Sequence, residues 1–324
     1  MPSFPGPIFV VGMPRSGTKL LRGLLNSHSQ IGIPLNETEL LPSWIRKWAH
    51  FGNLHNRDTF EAFYQYNIET FYFQNRLREH GQQIASQKWF DLCDGDFSIA
   101  NVFEQLIRHD ADIHDGIWGD KSPSYLRHLP EIKAVFPQAK FIHIVRDVRD
   151  YVLSIEKAFG KNRFRAAQRW SDAILKAQKD GETFAEQYTF VHYELLVDNP
   201  EPLLRKLCDF IGVNFEEGML DLSRPTENLG DTKGQATVVA GNYGKYKAQM
   251  SNQEIRELEE LAGEALRSLN YECAFTGPSR RLEAIEEYRY HLQDIVALLR
   301  QEAQESGWRS SLRRRIGHFW KTQL

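Results

Sequence analysis

The chain has 324 residues, 41% of them hydrophobic and 26% charged, with a net charge of −3. That length holds one large domain or two small ones around a substantial core, and the small net charge excludes a generic polyanion binder, nucleic acid included. Cys93, Cys208 and Cys273 are odd in number and lack metal-ligand spacing, so they read as buried or free thiols in a reducing compartment.

The N-terminus, MPSFPGPIFVVG, carries no basic segment of the signal-peptide kind, and no apolar run reaches the roughly 18–20 residues of a membrane-crossing helix. The expectation is a cytoplasmic protein. Residues 8–25, IFVVGMPRSGTKLLRGLL, follow at once. An apolar β-branched run meets a Gly/Pro/Ser turn, and leucines at helical spacing come next. That predicts a strand, a tight loop and a helix N-terminus, whose backbone N–H groups and dipole suit an anion. The nucleoside triphosphate form of this loop is G-x4-G-K-[ST], with Lys on the phosphates and the hydroxyl on Mg2+. Gly12 and Gly17 keep that spacing, but Thr18 stands at the Lys position and Lys19 at the hydroxyl position. The loop therefore grips phosphate without the metal chemistry of ATP.

Residues 36–39, Asn-Glu-Thr-Glu, read as a helix start with Asn36 as N-cap and Glu39 closing a capping box. The stretch 40–110 is dense in aromatics, with Trp44/Trp48 and Phe60/Phe63/Tyr64 at helical spacing. Most of these rings read as helix core, and some as walls of an acceptor pocket. Strand-like runs recur at 116–120, 140–145 and 188–193, with helical patterns between them. Such alternation predicts an α/β fold, a P-loop-type parallel sheet flanked by helices on both faces. Gly12, Lys121, Arg146 and Tyr193 fall at or just beyond strand carboxyl ends, where open sheets of this kind bind ligands. Arg146 at a strand end and Ser154 on the next helix have the arrangement in which two side chains converge on one phosphate. His143 alternates with buried strand positions and reads as structural.

The PRSGT loop, and Arg146 with Ser154 eight residues later, resemble the 5′-phosphosulfate and 3′-phosphate motifs of sulfotransferases that use 3′-phosphoadenosine 5′-phosphosulfate (PAPS). Weaker similarities lie at Gly119–Pro123 (GDKSP), at 192–200 (HYELLVDNP), at 244–247 (GKYK) and at Asn36–Thr38. The resemblance runs from about residue 8 to about 272, nearest to tyrosylprotein-like and bacterial glycan-type branches. It implies that Arg15, Ser16, Gly17, Thr18 and Lys19 hold the 5′-phosphosulfate, and that Arg146 and Ser154 hold the 3′-phosphate. It further implies that Tyr193, the loop 230–239 with Thr232, and Lys245 close over the nucleotide. Arg15 and Lys121 would stabilise the bridging oxygen, and Glu37 would be the general base, with Glu39 and His128 in reserve. A sulfuryl group carries less charge than a phosphoryl group, so cationic side chains suffice, and no HxxxH or CxxC metal motif is present.

The chain departs from these branches at three positions. Lys19 replaces a small residue. Glu39 stands where the tyrosylprotein branch has an Arg that helps to bind an acidic peptide, which disfavours that acceptor, and Ala158 stands where the same branch has another Arg. The reading is therefore a PAPS-dependent transferase acting on a hydroxyl of a glycan, glycolipid or small metabolite, with peptidyl tyrosine as second choice. A P-loop nucleotide kinase is disfavoured by Thr18. A non-catalytic nucleotide-binding scaffold is disfavoured by the presence together of Arg15, Lys121, Arg146 and Ser154.

The resemblance places a sulfotransferase domain at 1–275, with the aromatic helical insertion at 40–110, and a C-terminal helical extension at 279–324. After Gly277-Pro278, residues Leu282, Ile285, Leu292, Ile295, Val296 and Leu299 give an amphipathic stripe over 280–300, suited to the chain's own core or to a second subunit as a homodimer. The end, WRSSLRRRIGHFWKTQL, is basic with interleaved apolar residues over 308–320. It suits peripheral contact with an anionic membrane surface, or a helix docked by its apolar side.

Overall fold

The run Ile8–Gly12 is buried at every position, as a central strand of a parallel sheet must be. The computed structural model describes residues 4–226 and 233–306, with 301–306 as helix backbone only. Thr232 and the basic segment 308–320 lie outside the described residues.

In chain order the elements are β1 (Ile8–Gly12), α1 (Thr18–Leu25), β2 (Ile31–Gly32), α2 (Leu41–Lys47), α3 (Arg57–Ile68), α4 (Phe71–His80), α5 (Ser86–Leu92) and α6 (Ile99–Ala111). Then come β3 (Ile117–Lys121), a 3-10 turn at Pro123–Arg127, α7 (Leu129–Val135), β4 (Lys140–Val145), α8 (Val148–Phe159), α9 (Arg163–Glu182) and β5 (Tyr188–His192). Last are α10 (Tyr193–Asp198), α11 (Pro200–Ile211), α12 (Tyr246–Gln249), α13 (Asn252–Ser268) and α14 (Ala284–Ser306). The chain forms two compact units. One holds the described residues of 1–146 and 176–242, and the other those of 147–175 and 243–306.

The first unit contains a five-stranded sheet in the order β2-β3-β1-β4-β5, every pair parallel. Alternation along β1 and β4 sends side chains to two faces. Ile8, Val10, Ile142 and Ile144 join Leu20, Leu21, Leu24 and Leu25 of α1 and Leu203, Leu204 and Leu207 of α11 in one cluster. Phe9 faces the other way, stacked on Phe141 at 5.5 Å between centroids and against Tyr125 and Phe136. The chain leaves β1 toward β2 on one side of the sheet and later adds β4 and β5 on the other. The β1 carboxyl end is thus the point where strand order reverses, the usual ligand crevice of such sheets. The expected strands all form. β2 was not expected, because two residues carry no periodicity; it forms where the Ile117 N–H donates to the Gln30 carbonyl at 2.8 Å.

Helices α2–α6 make the aromatic region a core of its own. Trp44, Phe60, Phe63, Tyr72, Phe73 and Trp89 are buried there. The indole N–H of Trp44 donates to Asn67 Oδ1 at 2.9 Å and that of Trp89 to the Val102 carbonyl at 3.0 Å, so both polar edges are satisfied.

In the second unit, Asp147 caps α8 by accepting the Arg149 N–H at 2.9 Å. Arg149 is buried between the Asp147 carboxylate and Glu259 of α13, at 2.6 and 2.7 Å. Helix α14 docks through polar contacts: Arg165 bridges Glu287 and Asp294, both at 2.7 Å. Of the expected stripe, Ile285, Leu292 and Val296 are exposed at 74%, 44% and 45%, while Leu282, Ile295 and Leu299 are half-buried.

Candidate active site

The phosphate loop is built on left-handed backbone. Arg15 has φ +70° and Gly17 φ +91°, and the Ser16 N–H returns to the Met13 carbonyl at 3.2 Å. Successive N–H groups in such turns form an anion-binding concavity. No side chain caps α1, so the N–H groups of its first turn are left to a ligand. Glycine is required at position 17 on two counts: the positive φ, and the Tyr193 ring, whose Cδ2 would lie 2.4 Å from an added Cβ. Ser16 is fully buried and its hydroxyl has no partner.

Arg146 leaves the end of β4 and folds back over the same loop. It donates to the Arg15 carbonyl at 3.2 Å and to the Asn242 carbonyl at 3.3 Å, and its guanidinium lies 4.6 Å from the Tyr193 ring centroid. Asn242 in turn donates to the Tyr193 hydroxyl at 2.7 Å. Arg146 Nε is buried and unpartnered. Two orphaned polar atoms, the Ser16 hydroxyl and Arg146 Nε, fit a site that takes a phosphorylated ligand.

A second constellation forms one strand away. Lys121 ends β3 in register with Val10 of β1. Its ammonium lies 2.5 Å from Glu37 Oε1, with the Lys side chain fully buried and that of Glu37 32% exposed. Burial pushes the Lys121 ammonium below its ordinary range, and the Glu37 carboxylate opposes that shift. The Glu39 carboxyl is held above its ordinary range by burial and by the charge of Glu37.

The expected helix start at Asn36–Glu39 is not there. Helix α2 begins at Leu41 behind Leu40, and the segment before it is loop. Tertiary hydrogen bonds override the local capping pattern. Arg22 of α1 donates to the Leu35 carbonyl at 2.6 Å, and Asn26 pairs with Ile33 through both N–H (2.9 Å) and C=O (2.7 Å). Glu39 takes φ +54° in consequence.

Of the expected site residues, Arg15, Ser16, Gly17, Thr18, Lys19, Glu37, Lys121, Arg146 and Tyr193 all belong to the first unit. Ser154, half-buried on α8, and Lys245, at the start of α12, belong to the second. There Asp150, which sequence reading passed over, accepts the N–H groups of Gly244 and Tyr246, the latter at 3.1 Å, and so fixes the turn that carries Lys245. His128 faces Glu131 at 3.7 Å. His143 is buried beside the Tyr188 hydroxyl at 2.6 Å and is pushed down to about 3 by burial, a neutral structural ring. Sequence reading gave no role to Asp120, Thr38, Ser122 and Tyr125, a buried polar set beside Glu37 and Lys121. Asp120 and Ser122 lie in the GDKSP segment and Thr38 in Asn36–Thr38, while nothing in sequence marks Tyr125. Among the described residues no three His, Cys, Asp or Glu side chains cluster as metal ligands, and no helix is long and apolar enough to cross a membrane.

Residues 7–217 match the sulfotransferase family. Protein-tyrosine sulfotransferase 1 of Danio rerio is 26% identical over 223 residues, 66% of this chain and 55% of that protein, so the match spans about half of the relative's length. The sulfotransferase domain of the Synechococcus PCC 7002 olefin synthase is 25% identical with a TM-score of 0.57, over 83% of this chain and 96% of that one. The sulfotransferase domain of the curacin biosynthetic pathway shares the fold at a TM-score of 0.58 and 24% identity, over 83% of this chain and 99% of that one. With a phosphate loop that lacks the ATP lysine, an arginine folded over it and a family match across most of the chain, the protein belongs to the sulfotransferase family, transferases that draw a sulfuryl group from PAPS.

Proposed function

We propose that this protein transfers the sulfuryl group of PAPS to a hydroxyl of a glycan, glycolipid or small metabolite, with Glu37 as general base. The observation that carries this reading is the Glu37–Lys121 pair: a buried cation at the end of β3, the strand beside β1, and a half-exposed carboxylate on the loop before α2, 2.5 Å apart. In-line transfer of a planar sulfuryl group asks the protein mainly to position and to neutralise charge. The acceptor oxygen forms a bond to sulfur as the bond from sulfur to the bridging phosphate oxygen breaks. The acceptor proton passes to the Glu37 carboxylate, and the products are a sulfate ester and 3′-phosphoadenosine 5′-phosphate (PAP).

The loop N–H groups from Arg15 to Lys19 and the hydroxyls of Ser16 and Thr18 hold the 5′ end of the donor. Arg146 takes the 3′-phosphate, and Tyr193 beneath its guanidinium lines the nucleotide site. Lys121 has two roles. It keeps the carboxylate of Glu37 in place, and with Arg15 it meets the negative charge that grows on the bridging oxygen.

A second acceptor class, peptidyl tyrosine, is favoured by relatives such as the Danio rerio protein-tyrosine sulfotransferase. Glu39 beside Glu37 argues against it where the peptide is acidic, because like charges repel in a partly buried site. The donor half is tested by titration calorimetry with PAP in the absence of magnesium, with ATP and Arg146→Ala as controls. Tight PAP binding that collapses in the variant, with weak ATP binding, is expected. ATP binding that requires magnesium, or no PAP binding, overturns the reading.

A further inference from the structure

Each member of the Glu37–Lys121 pair has a chain neighbour in a second, buried pair. Thr38 follows Glu37, Asp120 precedes Lys121, and Thr38 Oγ1 donates to Asp120 Oδ2 at 2.8 Å. Successive residues of a strand point to opposite faces, so β3 offers Lys121 to one side and Asp120 to the other.

Four further bonds extend this pair. The Ser122 hydroxyl donates to Asp120 Oδ2 at 2.8 Å and accepts the Glu39 N–H at 3.2 Å. The Tyr125 hydroxyl lies 2.7 Å from Thr38 Oγ1 and accepts the Leu41 N–H at 3.1 Å. Thr38 has one hydroxyl proton, and it goes to Asp120, so Tyr125 must be the donor to Thr38. The chain of donors Tyr125, Thr38, Asp120 therefore has one direction, fixed by an acceptor at its end. Through it, the loop carrying Glu37 is anchored to the strand that carries Lys121.

The arrangement has a cost. Asp120 is fully buried, and its Oδ1 has no partner. A half-satisfied buried carboxylate is a poor source of stability. We propose that Asp120 is a positioning residue, whose hydrogen bonds to Thr38 and Ser122 set Glu37 against Lys121 for proton transfer. This rests on the proposed role of Glu37 as base.

The test compares Asp120→Ala, Asp120→Asn, Thr38→Val and Thr38→Ser with the parent protein. Transfer from 35S-labelled PAPS to 4-nitrophenol or to water is followed beside PAP affinity. Acetylation of Lys121 by acetic anhydride, read by mass spectrometry, gives a measure that needs no acceptor. Asp120→Ala is expected to lose about tenfold or more in kcat, with the KM for PAPS and the PAP affinity within about twofold. Lys121 is expected to become about tenfold more reactive as its partner loop loosens. Asp120→Asn keeps an acceptor oxygen and is expected to recover to within about threefold of the parent. Should Asp120→Ala fail to fold, Thr38→Val carries the same expectation and Thr38→Ser the rescue. An Asp120→Ala protein with parental turnover and parental Lys121 reactivity overturns the proposal, as does an Asp120→Asn protein as impaired as Asp120→Ala. If the parent neither binds PAP nor consumes PAPS, the functional reading falls, and Lys121 acetylation still decides whether Asp120 sets the pair.

Discussion

Asp120→Asn should change how stability depends on pH, with a definite sign. Burial pushes the Asp120 carboxyl up from 3.8 to about 6, against the hydrogen bonds from Ser122 and Thr38 that pull it down. Between those two values the folded chain binds a proton that the unfolded chain releases. Asp120 is therefore best tolerated below pH 3.8, and its contribution is lost as pH rises through about 6. A shift of roughly two pKa steps at about 1.4 kcal/mol each comes to about 3 kcal/mol. Asparagine is neutral throughout, so the stability of Asp120→Asn minus that of the parent should grow by about 2 kcal/mol from pH 4 to pH 7. Other carboxylates titrate alike in both proteins and largely cancel in the difference. Urea denaturation of the two proteins at half-unit pH steps measures it. A difference that stays flat with pH, or that falls as pH rises, refutes the reasoning.

Four further outcomes are expected. Gly17→Ala places a Cβ 2.4 Å from the Tyr193 ring at φ +91°, so it should cost about 1–3 kcal/mol in urea denaturation and weaken PAP binding in calorimetry. Trp44→Ala empties a fully buried site and strands the Asn67 amide oxygen, for a loss of about 3–5 kcal/mol by the same method. Arg165→Ala removes two of the ion pairs that hold α14, so amide exchange across 284–300 should quicken while PAP affinity stays unchanged. Burial pushes the Cys93 and Cys208 thiols up to about 12 and about 11, so iodoacetamide at pH 8 should label the half-exposed Cys273 first, as peptide mapping would show.

The parts of the fold that were legible in sequence are those with short-range causes. The strand-loop-helix of 8–25 announces itself because an apolar run, a turn with Gly17 and a leucine pattern lie side by side. Strand β4 (KFIHIV) is a nearly continuous apolar run, β5 (YTFVH) is rich in β-branched and aromatic residues, and β3 (IWGDK) opens apolar before its two charged residues. What escaped has long-range causes. Asn36–Glu39 carries the letters of a capping box, yet Arg22 and Asn26 tie the preceding segment down from α1, and Ser122 takes the Glu39 N–H. The Thr38–Asp120 bond joins residues 82 positions apart, so the GDKSP segment alone could not show what Asp120 holds. The stripe on α14 was visible, but the ion pairs from Arg165 on α9 to Glu287 and Asp294 were not, because hydrophobic periodicity cannot report a polar contact.

The most direct measurement compares Glu37→Gln with the parent in sulfuryl transfer from labelled PAPS to 4-nitrophenol and to a neutral glycoside, in a chelator and at saturating donor, with PAP affinity measured beside it. Loss of about a hundredfold or more in turnover with PAP affinity unchanged is the predicted result, the size expected when a positioned general base is removed. Turnover by Glu37→Gln at the parental rate contradicts the assignment of Glu37 as base. Parental turnover that appears only when a divalent metal is restored contradicts the metal-free mechanism.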